Sequence, residues 1–225
     1  MTVEKDILVG CAEGLLILFD STGTRSISDP ASLCSGGYEH GEIIGLQYNV
    51  EGKILVIGFS SGKVHIKICT QGIRNSLFGQ QRDFCTSVSN GLHMYALECV
   101  SSETASTLEV WCGSEGSRIE VWSLPMGENL TWTHDTVVQH QHIIRAQTGN
   151  PAGYDEDMVV TQMKQGTGLC ETMMVALLRK QKTTVIAFVD MESKEIEKTV
   201  ECNHSSRFCL ACTLIATLSL MDNCI

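Results

Sequence analysis

Short apolar blocks that run into a glycine, cross a polar turn and re-emerge as an alternating strand recur three times along the chain. The copies are Asp6-Ile-Leu-Val-Gly-Cys-Ala-Glu-Gly-Leu-Leu-Ile-Leu-Phe-Asp20, Lys53-Ile-Leu-Val-Ile-Gly-Phe-Ser-Ser-Gly-Lys-Val-His-Ile-Lys67 and Leu108-Glu-Val-Trp-Cys-Gly-Ser-Glu-Gly-Ser-Arg-Ile-Glu-Val-Trp122. Each predicts a β-hairpin, with both glycines of a copy supplying the turn's backbone angles. The first glycines, Gly10, Gly58 and Gly113, recur about every 50 residues, a spacing at which strand-turn-strand units build a β-propeller blade by blade. An all-β class follows.

The clearest unit runs from Glu42 to Ile68: strand Ile43–Tyr48, turn Val50–Lys53, strand Ile54–Ile57 and strand Lys63–Ile68. In the last of these, Val64, Ile66 and Ile68 share one face and Lys63, His65 and Lys67 the other. That two-residue period predicts a packed side and a more polar side. The same logic gives strands at Leu92–Val100, Leu108–Cys112 and Arg118–Trp122, with an outer strand within Thr136–Ile144. A fourth unit, without the glycine pair, has strands at Met158–Met163, Met173–Leu178 and Thr184–Asp190, with Glu195–Val200 outermost. Ser21–Gly41 and Ile144–Asp157 read as surface insertions, and no amphipathic helix is expected.

At its ends the chain opens inside a hairpin at Ile7 with no preceding first strand, and Ser206–Cys212 reads as the first strand of a further blade. The expected organisation is one partial propeller over 1–225, with blades at 1–41 (partial), 42–91, 92–144 and 145–204 and the start of another at 205–225. An excised piece of a longer chain is the expectation, an unusual small closed ring the alternative. Open sheet edges at such ends invite self-association.

Composition narrows the function. A chain of 225 residues buries about 70–75% of its unfolded surface and needs no staples. The net charge of −10 disfavours nucleic acid, which needs clustered Lys and Arg. The basic run Arg179-Lys-Gln-Lys182 falls where a solvated hairpin turn is expected. Eleven cysteines are an odd number, and Cys99, Cys112 and Cys209 sit in apolar stretches as small buried hydrophobes. No secretory signal opens the chain, so the sequons at Asn129 and Asn203 carry little weight, and a reducing, cytoplasmic setting is expected. Cys209–Met221 is too short to span a bilayer.

Gly58-Phe-Ser-Ser-Gly62 matches the hydrolase nucleophile elbow, which needs a helix after the serine; an alternating strand follows instead, leaving Ser60 on a hairpin tip. His40-Gly-Glu42 with Cys209-Leu-Ala-Cys212 imitates a zinc deaminase signature, but Phe208 stands where proline belongs. Cys202, His204, Cys209 and Cys212 offer four zinc ligands, with the Cys-x-His half too tight for a zinc knuckle. His134, His140 and His142 read as an exposed outer strand. Asp83-Phe-Cys85 has cysteine where a kinase metal-binding triplet has glycine. No catalytic, cofactor-binding or metal residue is assigned, and no cofactor is expected.

Phe19-Asp20, Trp122-Ser123 and Val189-Asp190, at the ends of third strands, resemble degenerate WD repeats, whose strand closes on Trp-Asp. More narrowly, Leu92-His-Met-Tyr-Ala-Leu97 and Leu108-Glu-Val-Trp-Cys-Gly-Ser114 resemble the carboxy-terminal propeller of the leucine-rich-repeat kinases of the Roco family. Similar blades occur in propellers of some Rho exchange factors and kinase scaffolds. This resemblance implies a WD-like β-propeller, and the strand units counted above make it a partial one of about four blades. Its function would be a non-catalytic module binding other proteins within a larger intracellular signalling protein. The competing class is a propeller enzyme holding a small substrate at the central channel.

Overall fold

The computed structural model describes residues 2–3, 6–28, 41–49, 53–69, 71–78, 85–89, 91–102, 107–126, 140–145, 158–167, 171–180 and 183–202. These residues form four antiparallel four-stranded sheets, with strands adjacent in sequence adjacent in the sheet. The first holds β1 (Thr2–Val3), β2 (Asp6–Gly10), β3 (Leu16–Phe19) and β4 (Arg25–Ser28). The second holds β5 (Ile43–Asn49), β6 (Ile54–Phe59), β7 (Lys63–Ile68) and β8 (Cys85–Ser89). A helix, α1 (Gly72–Phe78), lies between β7 and β8 in sequence. The third comprises β9 (Met94–Ser102), β10 (Thr107–Ser114), β11 (Arg118–Pro125) and β12 (His140–Arg145). The fourth comprises β13 (Val159–Gln165), β14 (Met173–Lys180), β15 (Thr183–Asp190) and β16 (Ile196–Cys202).

The chain divides into two compact units, one of Met1–Cys112 with Val121–Gln141, the other of Gly113–Glu120 with His142–Ile225. In the first, two apolar clusters flank the second sheet. Leu55, Ile57 and Phe59 of β6 pack with Leu8, Leu16 and Leu18 of the first sheet and with Cys69, Ile73 and Leu77. On the opposite face Ile54, Val56, Val64 and Ile66 pack with Met94 and Leu97 of β9 and with Leu108, Val110, Trp122 and Leu124. Middle strands covered on both sides read as near-continuous apolar runs, which explains Ile54–Ile57. In the second unit Val175, Leu177, Ile186 and Phe188 form a further cluster.

The glycine pairs divide their labour. Gly14, Gly62 and Gly116, the second of each pair, take φ of 77°, 81° and 68°, the left-handed region that a turn demands. Gly10, Gly58 and Gly113 do not. They lie in strands, where absence of a side chain lets the next sheet approach. A Cβ on Gly10 would stand 2.8 Å from Ile43 Cβ, one on Gly58 3.2 Å from Leu97 Cδ1, and one on Gly113 2.8 Å from Val160 Cβ. In every case the neighbour belongs to the first strand of the following sheet.

Four further expectations change. A two-residue strand, β1, precedes Ile7 and pairs with β2, Thr2 opposite Ile7. The stretch expected to be an insertion from Ser21 contains β4, paired to β3 with Ile17 opposite Ile27. Helix α1 exists because Ile73 and Leu77, four apart, share one buried face while Arg74 and Asn75 face water. Most consequentially, His65 and Lys67 are 2% and 3% exposed. They stand opposite Ile57 and Leu55 on the face turned to the first sheet, so β7 has no solvent side. The possible strand at Ser206–Cys212 lies outside the described residues.

Candidate protein-interaction surface

Hairpin tips join successive sheets by backbone hydrogen bonds. In the β2–β3 tip, the Cys11 carbonyl accepts from Gly14 N (3.0 Å) and from Ile43 N of the second sheet (3.2 Å). In the β6–β7 tip, Ser60 N donates to the Glu42 carbonyl (2.8 Å), and the Ser60 carbonyl accepts from Met94 N of β9 (3.0 Å). Ser60 Oγ also accepts from Glu42 N at 3.0 Å. These bonds place the turn at residues 11–14, the entry to β5 and the entry to β9 on one continuous rim of the first unit.

The rim exposes Glu13, Glu42, His93 and Tyr95. Tyr95 is 40% exposed, and its ring lies 4.6 Å from that of His93 at 54°. Met94 and Ala96, alternating with them along β9, are buried, which fixes His93 and Tyr95 outward. Residues 11–15, 41–43, 60–62 and 91–95 contain no lysine or arginine. Rigid aromatic rings with a polar tip, here Tyr95 on β9 with His93 just before it, are the side chains that anchor protein partners.

Behind the rim, Gln47 Nε2 donates to Glu98 Oε2 at 3.2 Å, linking β5 to β9. Burial first, and the charge of neighbouring Glu98 second, push the Cys99 thiol well above its ordinary range. It stays protonated and a poor nucleophile at neutral pH. In the second unit Arg118 forms an ion pair with the wholly buried Glu120.

Asp20 and Asp190, the third-strand aspartates of the WD-like ends, fold the next turn. Asp20 Oδ1 accepts from Thr22 Oγ1 (2.6 Å), Thr22 N (2.9 Å) and Thr24 N (2.9 Å). Asp190 Oδ1 accepts from Ser193 N (2.7 Å) and Glu192 N (3.0 Å). The Thr22 hydroxyl first for Asp20, and the Ser193 amide first for Asp190, hold both carboxyls below the ordinary value. Arg74 of α1 reaches Asp6 (3.3 Å) and Asp20 (3.4 Å), tying the second sheet to the first beside a cavity of about 190 Å³.

The candidate motifs are dispersed. Ser60 is buried at a hairpin tip, and Gly62 leads into strand β7 rather than a helix, so the elbow geometry is not formed. Arg179 and Lys180 close β14, with Lys180 opposite Thr183 of β15, so the basic run does fall at a hairpin turn, although both side chains are half-buried rather than fully solvated. His140 and His142 lie on β12, Cys85 opens β8 and Cys202 closes β16. His40, Asp83, Asn129, His134, Lys182, Asn203, His204, Phe208, Cys209 and Cys212 lie outside the described residues. Among the described residues no group of three His, Cys, Asp or Glu is placed to hold a metal, and no helix is long and apolar enough to cross a membrane. Sequence reasoning assigns no role to the His93–Tyr95 pair.

No protein-family model matches the chain. No curated protein sequence matches it either. Solved structures do. The β-propeller domain of Cps50 (Swd1) from Myceliophteria thermophila matches with a TM-score of 0.58 at 12% identity, over 89% of this chain and 55% of that one. The Pan2 WD40 domain from Neurospora crassa matches at 0.52 and 11%, over 88% and 47%. Sqt1 from Chaetomium thermophilum, bound to the N-terminus of the ribosomal protein L10, matches at 0.52 and 14%, over 87% and 45%. The chain thus spans about half the length of the solved propellers it resembles. Likeness at such identities speaks for the fold alone, and the fold is that of a WD-repeat-type β-propeller, represented here by four four-stranded sheets.

Proposed function

We propose that this chain is a non-catalytic protein-interaction module that presents the Glu13, Glu42, His93 and Tyr95 rim to other proteins. The carrying observation is the exposed His93–Tyr95 pair, held outward by the buried alternation of β9. Sqt1, of the same fold, binds the N-terminus of another protein, which supports a peptide or protein partner here. In this reading the blades are 1–41, 42–91, 92–144 and 145–204, with 205–225 opening another, and the module serves a larger cytoplasmic signalling protein. The resemblance of Leu92–Leu97 and Leu108–Ser114 to the propeller of Roco-type kinases supports a kinase of that kind as the parent. The parent's catalysis lies elsewhere in that reading, as the inert Cys99 and the strand after Ser60 suggest.

Cross-linking mass spectrometry in cells tests the proposal. Tyr95→Ala is expected to remove specific cross-linked proteins while circular dichroism and melting stay unchanged. Ile143→Ser, a substitution on β12 at a residue 50% exposed, is expected to leave those cross-links intact. An unchanged cross-link set for Tyr95→Ala refutes the rim as the binding surface.

A further inference from the structure

We infer that the partner taken by the His93–Tyr95 rim is a short extended segment rich in lysine or arginine. This rests on the reading of that rim as a binding surface and names what it binds. Three kinds of group gather there, and each favours a cationic donor. Glu13 and Glu42 are exposed carboxylates. Tyr95 is 40% exposed, and the face of its ring carries the negative side of the aromatic quadrupole. Ser61 Oγ, at the β6–β7 tip, is buried and has no hydrogen-bond partner among the described residues. A buried hydroxyl oxygen left unpaired is costly, and an N–H from a partner relieves it.

Backbone bonding sets the spacing of these groups. Ser60 N donates to the Glu42 carbonyl and the Ser60 carbonyl accepts from Met94 N, so one residue bridges the two entry strands. Two hydrogen bonds of about 3 Å and the width of one residue put those two main-chain atoms within about 10 Å. Ser61 N lies 3.7 Å from the position that a Cβ on Gly41 would take, beside Glu42. On the other side Ile43 N donates to the Cys11 carbonyl, two residues before Glu13. An extended chain advances about 3.3 Å per residue, so cations two or three residues apart in it match the step from Glu42 to Tyr95.

Charge selects among partners. Lys63 is the one lysine or arginine that adjoins the four rim segments in sequence, and it is half-buried at the start of β7. The chain as a whole carries −10. An acidic segment is therefore repelled at long range and meets two carboxylates at contact. A basic one is drawn in and then held over the Tyr95 ring. A purely apolar segment strips water from Glu13 and Glu42 and offers Ser61 Oγ no donor.

A library of random peptides displayed on phage, selected on the 225-residue chain and counter-selected on Tyr95→Ala, tests this. Peptides that bind the wild type and not Tyr95→Ala are expected to hold lysine and arginine at least about threefold above their frequency in the library. A synthetic peptide from that set should bind the double variant Glu13→Gln, Glu42→Gln at least about fivefold more weakly, two exposed ion pairs being lost. The double variant Glu192→Gln, Glu195→Gln removes the same charge from the β15–β16 turn and should leave the affinity within about twofold at physiological salt. Tyr95-dependent peptides without an excess of basic residues overturn the proposal and leave the rim standing as a binding surface. Equal weakening by the two double variants overturns it too, since net charge alone then accounts for the attraction. So does the absence of any Tyr95-dependent peptide, and the cellular cross-links of Tyr95→Ala then judge the rim by themselves.

Discussion

Replacing Gly113 with alanine probes the close approach of consecutive sheets more sharply than any other single change. The new Cβ would lie 2.5 Å from Val160 Cγ1, 2.8 Å from Val160 Cβ and 3.2 Å from the Val160 carbonyl oxygen. Carbon atoms rest at about 3.5–4.0 Å, so the sheets must part by about 1 Å. Val160 is fully buried, and its branched Cβ sits one bond from the backbone, so no rotamer change clears the space. Overpacking of this kind costs about 1–3 kcal/mol, and the hard backbone neighbour puts Gly113→Ala near the top of that range. Val160→Ala alone removes buried methyl groups and costs about 2 kcal/mol. Combined, Val160 Cγ1, the nearest atom at 2.5 Å, is gone while Val160 Cβ and the carbonyl oxygen stay, so the clash is relieved in part and the pair is expected to cost about 0.5 kcal/mol less than the sum. Urea unfolding followed by tryptophan fluorescence, to which the buried Trp111 and Trp122 contribute, measures all three variants. A Cβ on Gly116 meets nothing within 4 Å, so Gly116→Ala with Val160→Ala should be additive. Additivity of the Gly113 pair as well would refute the steric explanation.

The remaining expectations concern buried charge, acid sensitivity and chemistry. Lys67→Asp and Val64→Asp should each cost about 3 kcal/mol or more, because both side chains are enclosed; a much milder Lys67→Asp in thermal melts would show that β7 has a wet side. Asp20 and Asp190 have folded values below the ordinary 3.8, so their stabilisation is complete above that pH and disappears as pH falls through the folded values. Asp20→Asn and Asp190→Asn should therefore flatten the acid limb of Tm against pH, and an unchanged limb would contradict the turn-cap role. Fluorophosphonate should leave Ser60 unlabelled, and stoichiometric labelling there would revive the hydrolase reading.

The middle strands were legible because burial on both faces writes itself as apolar runs bounded by turn residues. The outer strands were not. Arg25–Ser28 and Cys85–Ser89 are rich in serine and threonine, and they are strands because a neighbour's edge accepts them rather than through a pattern of their own. Helix α1 is shorter than an isolated helix sustains; docking of Ile73 and Leu77 under the first sheet holds it. His65 and Lys67 misled because alternation normally reports one wet face, whereas neighbouring sheets sandwich β7. Of the interaction surface, the strand bearing His93 and Tyr95 was readable, but its outward side was not, since either parity of β9 carries apolar residues.

The hairpin tips also set an order for synthesis. Each described tip reaches forward: Cys11 to Ile43, Ser60 to Met94, Ser117 to Met158. A ribosome extends the chain by about 5–20 residues per second, so seconds separate one sheet from the next, whereas a hairpin closes in about 1–10 μs. Each tip can therefore close many times over before the next opening strand emerges. The strand that docks is always the later one to be made, and the tip it meets lies upstream.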